Sequence, residues 1–485
     1  MAMEGTTTDS EQKISIPEDL AIKEPLIGKE PLCSKDRNGY SNWMVILSTS
    51  VAVWGSFVFG VAVGFSSPTQ AQIREDLNLS LGEFSVFGSI VTLGALVGAI
   101  ASGHITDLLG RKGAMRSSSI VCIIGWLAIY FAKGPVSLDI GRICTGYGVG
   151  VLSYVVPVFI AEIAPKTLRG ALTTLNQLFC VIGLSMTYII GIFVTWRMLV
   201  LTGLIPCIIL LVGLIFIPES PRWLAKVGRQ NEFENSLMEL RGKDADVTEE
   251  ATEILEYIAT IDSLPKARIQ DAFHRQYIRP VTVGVGLMFF QQAGGVNGIL
   301  FYASETFKSA GFASGSLGTI MMGCFQVPLT ILAAVLMDRS GRRPLLMISA
   351  SGMFLGSFIT AISFFLKSHG IYLELSPGLA LTGILVYIGS FSIGMGAIPW
   401  VMMSEIFPIN MKGIGGSLVT IMSWFGSWAV SYSFNFLMSW SSYGTFFIFS
   451  SMCALALVFI FKVVPETKGR TLEEIQASMK PTTLR

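Results

Sequence analysis

The sequence predicts an all-α membrane protein of twelve transmembrane helices arranged in two pseudo-symmetric six-helix bundles. Three observations lead to this fold class: the composition, the grouping of apolar residues into long blocks, and motifs that occur once in each half. Of the 485 residues, 52% are hydrophobic and only 14% are charged, against roughly 25% charged in an ordinary soluble domain. Such a chain has too few charges to cover a water-facing surface of its size.

The apolar blocks are about twenty residues long, enough to cross roughly 30 Å of hydrocarbon. Six of them precede a charged central segment and six follow it. They begin near Met44, Ser85, Met115, Val136, Ala171, Trp196, Pro280, Ser316, Pro344, Gly378, Gly413 and Tyr443.

This pattern divides the chain into five expected regions. Residues 1–42 form a polar, disordered N-terminal tail and residues 465–485 a C-terminal tail, while the bundles span 43–218 and 280–464 around a linker of short helices at 219–279. Basic residues concentrate in alternate connections, and the positive-inside rule assigns such connections to the cytosol. Both termini and the linker are therefore expected to be cytosolic.

Charge and cysteine usage exclude several other classes. The net charge of +1 gives no reason to expect a nucleic-acid partner. The cysteines lie mostly in apolar runs and show no metal-ligand spacing. We therefore expect neither a metal nor another cofactor, and we do not expect an enzyme.

Three charged motifs recur in the same order in the two halves, which indicates a parallel duplication. Such a duplication places a binding site at the interface of the halves. The matched pairs are Gly103–Lys112 with Asp338–Arg343, Glu162–Pro165 with Glu405–Pro408, and Pro218–Ser220 with Pro465–Thr467.

Salt bridges within these motifs would close the cytosolic side of the protein. The alternative is that the charges only anchor helix ends, since exposed pairs contribute about 0–1 kcal/mol each. Recurrence at three matched places favours a gate. The predicted gate and salt-bridge residues are Asp107, Arg111, Arg142, Glu162, Arg169, Glu219, Arg222, Asp338, Arg342, Arg343, Glu405, Glu466 and Arg470.

The conspicuous polar side chains inside the apolar blocks are amides. An unpaired buried amide costs roughly 1–3 kcal/mol, and amides both donate and accept hydrogen bonds, as the hydroxyls of a neutral polyol require. Tryptophan can add an apolar face. Alternatively, the amides join helices and the tryptophans mark the bilayer interface. The candidate binding residues are Gln177, Gln291, Gln292, Asn297, Gln326, Trp400 and Trp424.

These motifs closely resemble those of the sugar porter family of the major facilitator superfamily, over almost all of the apolar part of the chain. Within that family the chain is most similar to the plant early-responsive-to-dehydration-type monosaccharide transporters. The motifs are Gly103–Lys112, Arg142, Pro218–Leu224, Gln291–Gln292, Asp338–Arg343 and Pro465–Arg470, with Gly64–Gln70 and Lys266–Gln270 for the narrower similarity.

The resemblance implies the major facilitator fold, and the seven candidate binding residues fall where sugar porters contact their sugar. Ser423 and Ser427 stand where some members carry Asn, and Ser392 where some carry Glu. These differences leave the choice of sugar open.

The resemblance also bears on energy coupling. Proton-driven sugar porters carry an Asp in the first helix that pairs with the counterpart of Arg142, but Ala62 occupies that position here. An alanine cannot carry a proton, so the substitution favours facilitated diffusion. Proton coupling through Glu162 or another acid is the alternative.

The sequence thus predicts a monomeric carrier in a lipid bilayer that moves a glucose-like hexose by alternating access. The resemblance favours the vacuolar membrane, with the plasma membrane second. A sugar sensor that does not transport is the rival from another class, although the short linker holds no added signalling domain. A channel is the second rival, disfavoured because no ring of like residues or selectivity loop is present.

Overall fold

The computed structural model describes residues 42–165, 168–242, 245–263, 269–274, 277–312, 315–408, 411–468, 474–475 and 479. Every regular element within these ranges is helical, which confirms the predicted all-α class. The expected N-terminal tail, apart from Asn42, and the predicted gate residue Arg470 lie outside the described residues.

The first half of the chain forms six long helical passes. An eleven-residue helix, α2, extends the first of them, and α3 comprises two passes because Gly110 interrupts it with a φ of 78°. The helices are α1 Trp43–Gly64, α2 Ser66–Asp76, α3 Leu81–Tyr130, α4 Pro135–Ile163, α5 Arg169–Phe193 and α6 Trp196–Gly213.

Short helices follow and form a small core of their own. They are α7 Pro221–Val227, α8 Gln230–Arg241 and α9 Thr248–Ser263, followed by a 3₁₀ helix, Ile269–Phe273. Trp223, Phe233, Leu237 and Ile254 pack together in this core. Arg241 joins it to the first bundle, because its guanidinium donates to the carbonyl of Ile163 at the end of α4.

The second half repeats the six passes, but two of them are interrupted. The pass after the linker consists of α10, α11 and α12, and the fourth pass consists of α15 and α16. The helices are α10 Ile278–Ala293, α11 Val296–Phe301, α12 Ala303–Ala310, α13 Gly315–Ser340, α14 Arg342–Ser368, α15 Ser376–Ile393, α16 Ile398–Ile406, α17 Lys412–Trp440 and α18 Ser442–Val463.

Nine helices in the described part of the chain are long and apolar enough to cross a membrane. One of them, α3, crosses twice because of the break at Gly110. The interrupted pass α10–α11 and the 29-residue α17, which is rich in Ser and Gly, complete the set. The protein is therefore an integral membrane protein of twelve passes, as the sequence predicts.

The crossings define two faces of the molecule. The break at Gly110, the helix α7 and the turn at Gly341 lie on one side, which we name the linker face. The ends of α3, α5 and α17 marked by Leu81, Phe193 and Trp440 lie on the opposite side, which we name the distal face.

Glycines allow α3 and α4 to pack backbone against backbone. A Cβ atom at Gly146 or Gly150 of α4 would lie 2.2 or 2.1 Å from the carbonyl oxygens of Val91 and Ala95. Four-residue spacing of small residues is the usual device for close helix contact in membranes, where no hydrophobic force joins helices. The first bundle is therefore held together by direct contact of helix backbones.

We expect Gly150→Ala to lower the melting temperature of the purified protein in detergent by several degrees. The added methyl would force the helices apart, and overpacking of a core costs about 1–3 kcal/mol. Gly103→Ala is the matched control because no atom lies within 4 Å of the Cβ position there. Equal thermal unfolding curves for the two variants would contradict this account of the packing.

Candidate functional site

The amide side chains of α10 and α11 form a continuous hydrogen-bonded chain. Nδ2 of Asn297 donates to Oε1 of Gln292 at 2.5 Å, and Nε2 of Gln292 donates to Oε1 of Gln291 at 3.1 Å. Nε2 of Gln291 then donates to the backbone carbonyl of Met395. Three of the seven predicted binding residues are thus brought together at the break between α10 and α11.

The last acceptor fixes the direction of the whole chain. A backbone carbonyl only accepts hydrogen bonds, so Met395 requires the NH₂ group of Gln291 to face it. Each amide has two N–H groups and a carbonyl oxygen with two lone pairs, and the chain uses only part of this capacity. The remaining donors and acceptors are available to a ligand rich in hydroxyl groups.

Small side chains from α17 lie beside this amide chain. Oγ of Ser423 accepts a second hydrogen bond from Nε2 of Gln292 at 3.3 Å. A Cβ atom at Gly426 would lie 2.9 Å from Cβ of Gln292. The sequence singles out Ser423 only as a position where some family members carry Asn. The Met395 carbonyl was not predicted as a site group, although the Gly394-Met395-Gly396 sequence inside an apolar block could have indicated a break.

The other predicted binding residues lie outside the hydrogen-bonded chain. Gln326 of α13 is buried, with only 4% of its surface exposed, and its Oε1 has no partner among the described residues. Gln177 is exposed on α5, and Trp400 is 36% exposed on α16. Trp424 packs edge-on against Phe59 of the first bundle, with ring centroids 5.9 Å apart.

Arg142 is fully buried and has no carboxylate partner in the part of the chain that the structure describes. Its guanidinium donates to the carbonyl of Ala62 at 2.9 Å and to Oγ of Ser66 at 2.5 Å. It also lies 5.5 Å and 5.1 Å from the ring centroids of Phe65 and Phe87. The cation thus binds the junction of α1 and α2 through a carbonyl, a hydroxyl and the ring of Phe65, and it contacts α3 through the ring of Phe87.

On the linker face of the first bundle, a salt bridge joins two of the predicted gate residues, Arg111 and Glu162. It is a two-pronged pair, with Nε and a terminal nitrogen donating at 2.8 and 2.7 Å. Ser220 adds a third hydrogen bond to Glu162 at 2.5 Å. Asp107 instead pairs with Lys226 of α7 at 2.9 Å, a partner that the repeat pattern does not indicate.

The matching cluster of the second bundle is less complete. Arg342 and Glu405 share one hydrogen bond of 3.1 Å. Within the described ranges, Nε of Arg342, Oε2 of Glu405 and Oγ1 of Thr467 are buried and have no hydrogen-bond partner. Thr467 corresponds in sequence to Ser220, whose hydroxyl is bonded, so the two clusters differ at every one of these atoms.

The carboxylates that follow the sixth and twelfth passes bind backbone N–H groups. Glu219 accepts from Arg111 and Lys112, and burial nevertheless raises its pKa above the ordinary value. Burial also acts to raise the pKa of Glu466, but four backbone hydrogen bonds, including those from Arg342 and Arg343, lower it below the ordinary value. The two carboxylates thus share three corresponding backbone donors, but Glu219 is the more buried and Glu466 accepts one further hydrogen bond, from the N–H of Lys468.

Two further predicted gate residues have incompletely bonded guanidinium groups. The Nε atoms of Arg169 and Arg222 are buried, and no described residue forms a hydrogen bond with either. Arg222 lies over the ring of Tyr257, 5.7 Å from its centroid. Asp338 lies within α13, but its side chain is outside the described part of the structure.

The two bundles are joined on the distal face. Four hydrogen bonds link described residues of opposite bundles, and all four lie in the distal half of the molecule. They run from Ser185 to the Gly323 carbonyl, from Tyr188 to the Leu300 carbonyl, from the Ser304 N–H to Ser67, and from Asn435 to Ser85.

Residues 46–479 match the family model described as "Sugar (and other) transporter". The chain belongs to this family. It is 61% identical over 446 residues to Sugar transporter ERD6-like 16 of Arabidopsis thaliana, and these residues make up 92% of each chain. It is 62% identical over 439 residues to Sugar transporter ERD6-like 7 of the same plant, which covers 90% of this chain and 95% of the relative.

Solved structures of a sugar symporter share the architecture of this sugar transporter. The proton:xylose symporter XylE bound to 6-bromo-6-deoxy-D-glucose is 27% identical with a TM-score of 0.75, covering 91% of this chain and all of that one. The inward-open conformation of the xylose transporter XylE from E. coli is 28% identical with a TM-score of 0.76, covering 90% and 99%. The fold is therefore that of the major facilitator superfamily, and the protein is an ERD6-like sugar porter and not an enzyme.

We expect Glu162→Gln to destabilise this sugar transporter more than Glu405→Gln does. The first change removes a two-pronged pair and leaves the Arg111 charge, 11% exposed, poorly compensated, which costs about 1–3 kcal/mol. The second removes a single 3.1 Å bond. Thermal unfolding of both variants beside the parent protein measures the difference, and an equal or reversed loss would refute it.

Proposed function

We propose that this sugar porter carries a glucose-like hexose by alternating access, with the amide chain of α10 and α11 as the centre of its binding site. The observation that carries the proposal is the fixed direction of the chain from Asn297 through Gln292 to Gln291. It leaves donors and acceptors of known orientation at a helix break between the bundles. Gln177, Gln326, Trp400 and Trp424 are proposed to complete the site.

The environment of Arg142 supports facilitated diffusion. Its polar partners are a carbonyl and a hydroxyl, and neither changes its protonation state at physiological pH. The alternative acid Glu162 is already bound by Arg111 and Ser220. We therefore propose a uniporter, in which the sugar gradient alone determines the direction of net flow.

The bonded distal face supports a conformation whose site opens toward the linker face. The basic connections are on that face, and by the positive-inside rule we propose that it is cytosolic. The incompletely bonded groups of Arg169, Arg222, Arg342 and Glu405 lie there on both bundles. We propose that they pair across the opening when the linker face closes, with the remaining predicted gate residues supporting them.

The cellular setting is proposed from the same expectations. We place a monomer in the vacuolar membrane, with both tails and the linker, residues 219–279, in the cytosol. The proposed bundle limits remain 43–218 and 280–464.

Counterflow of labelled glucose in proteoliposomes tests the proposed transport. We expect unlabelled glucose inside the vesicles to accelerate uptake, because a carrier returns faster when loaded. A sensor would give no flux, and a channel would give flux without acceleration. The double change Gln291→Ala and Gln292→Ala should lower counterflow at least about tenfold, while Gln230→Ala on linker helix α8 should leave it unchanged. Unaltered counterflow in the double variant would rule out the proposed site.

Ala62→Asp tests the proposed uniport. In the parent protein an imposed proton gradient should not alter the initial rate of glucose uptake, because no carboxylate among the described residues pairs with Arg142. An aspartate at this fully buried position adjoins Arg142 and should make uptake depend on the gradient, whereas Ala62→Asn should not. Proton-driven accumulation of glucose by the parent protein would establish the coupled alternative instead.

A further inference from the structure

Two passes of the second bundle are interrupted, and each interruption is bonded to the other pass. The break between α10 and α11 contains Gly294, whose carbonyl accepts a hydrogen bond from the hydroxyl of Tyr387 on α15 at 2.8 Å. The break between α15 and α16 contains Met395, whose carbonyl accepts from Gln291 on α10. The two breaks therefore hold one another through a reciprocal pair of hydrogen bonds.

A third helix, α14, binds the break at Met395. Oγ of Ser349 on α14 accepts from the backbone N–H of Met395 at 2.9 Å and donates to the carbonyl of Ser390 at 2.6 Å. A Cβ atom at Gly394 would lie only 2.6 Å from Cβ of Ser349. The break at Met395 is thus closely packed, and the N–H and the carbonyl of Met395 are both bonded to side chains of neighbouring passes.

These bonds are costly to lose because the groups have no access to water. Tyr387 is 1% exposed and Ser349 is fully buried. In the hydrocarbon region a backbone group freed by a helix break must find a partner within the protein. Neither Tyr387 nor Ser349 belongs to the amide chain, so their part in this arrangement is distinct from sugar contact.

We propose that Tyr387 and Ser349 are positioning residues for transport, which join the sugar site to the two helix breaks so that binding at Gln291 moves α16. The inference rests on the proposed function. Gln291 is both the end of the amide chain and the donor to Met395. A sugar that forms a hydrogen bond with the Gln291 amide and displaces it therefore also displaces the Met395 carbonyl. Because the Tyr387 hydroxyl binds the carbonyl of Gly294, the break between α10 and α11 moves together with α15.

The consequence reaches the linker face along a short helix. α16 begins at Ile398, three residues after Met395, and carries Trp400 and Glu405. A displacement at Met395 therefore moves the indole of Trp400 toward or away from the site. It also shifts Glu405, whose Oε2 has no partner among the described residues, relative to the opposite bundle. Sugar binding and the gate are connected through one hydrogen bond and two turns of helix.

The test separates binding from turnover. Tyr387→Phe removes only the hydroxyl, and Ser349→Ala removes the bonds to Met395 and Ser390. We expect each purified variant to bind labelled glucose with a dissociation constant within about threefold of the parent, while counterflow falls at least about tenfold. Retained binding shows that a variant is folded.

Ser363→Ala is the matched control. Ser363 lies on the same helix α14, is fully buried, and donates to the carbonyl of Ser376 at 2.6 Å, far from the break. It should keep both binding and counterflow. Equal losses of binding and counterflow in Tyr387→Phe would overturn the inference, as would counterflow at the parent rate. If the parent exchanges no glucose at all, the proposed function fails and this inference fails with it.

Discussion

Hydrocarbon offers no hydrogen bonds, and this constraint accounts for most of what the structure contains. It requires helices wherever the chain faces lipid, because a helix bonds its own backbone. It also requires that every departure from helical geometry be placed where another pass supplies a donor or acceptor. The breaks at Gly294 and Met395 meet this condition through side chains of α10, α14 and α15. The buried cation Arg142 meets it through the end of α1.

The fold could be predicted from the sequence because it depends on properties that are averaged over twenty residues. Apolar length and the alternation of basic connections specify crossings without any knowledge of contacts. The amides Gln291, Gln292 and Asn297 could also be identified, since a polar group in an apolar block requires explanation. The structure groups them at one break, while their contact with a sugar stays a proposal.

Other features depend on pairings that the sequence does not encode locally. Lys226 lies 119 residues from its partner Asp107, and no motif links them. The acceptors of Arg142 and Gln291 are backbone carbonyls, which every residue possesses, so nothing in the sequence singles out Ala62 or Met395 as the partner. The motif repeat also predicts equal clusters in the two halves, whereas Ser220 bonds its glutamate and Thr467 does not. Duplicated motifs thus need not have duplicated bonds.

The glycine contacts between α3 and α4 have a consequence for how the molecule can change shape. Helices that touch through their backbones have no flexible side chains between them to absorb sliding, so α3 and α4 are expected to move as one unit. The second half contains the two interrupted passes, which can bend at defined points. We therefore expect a change of shape in the second half to be concentrated at these two breaks, while α3 and α4 of the first half keep their relative position.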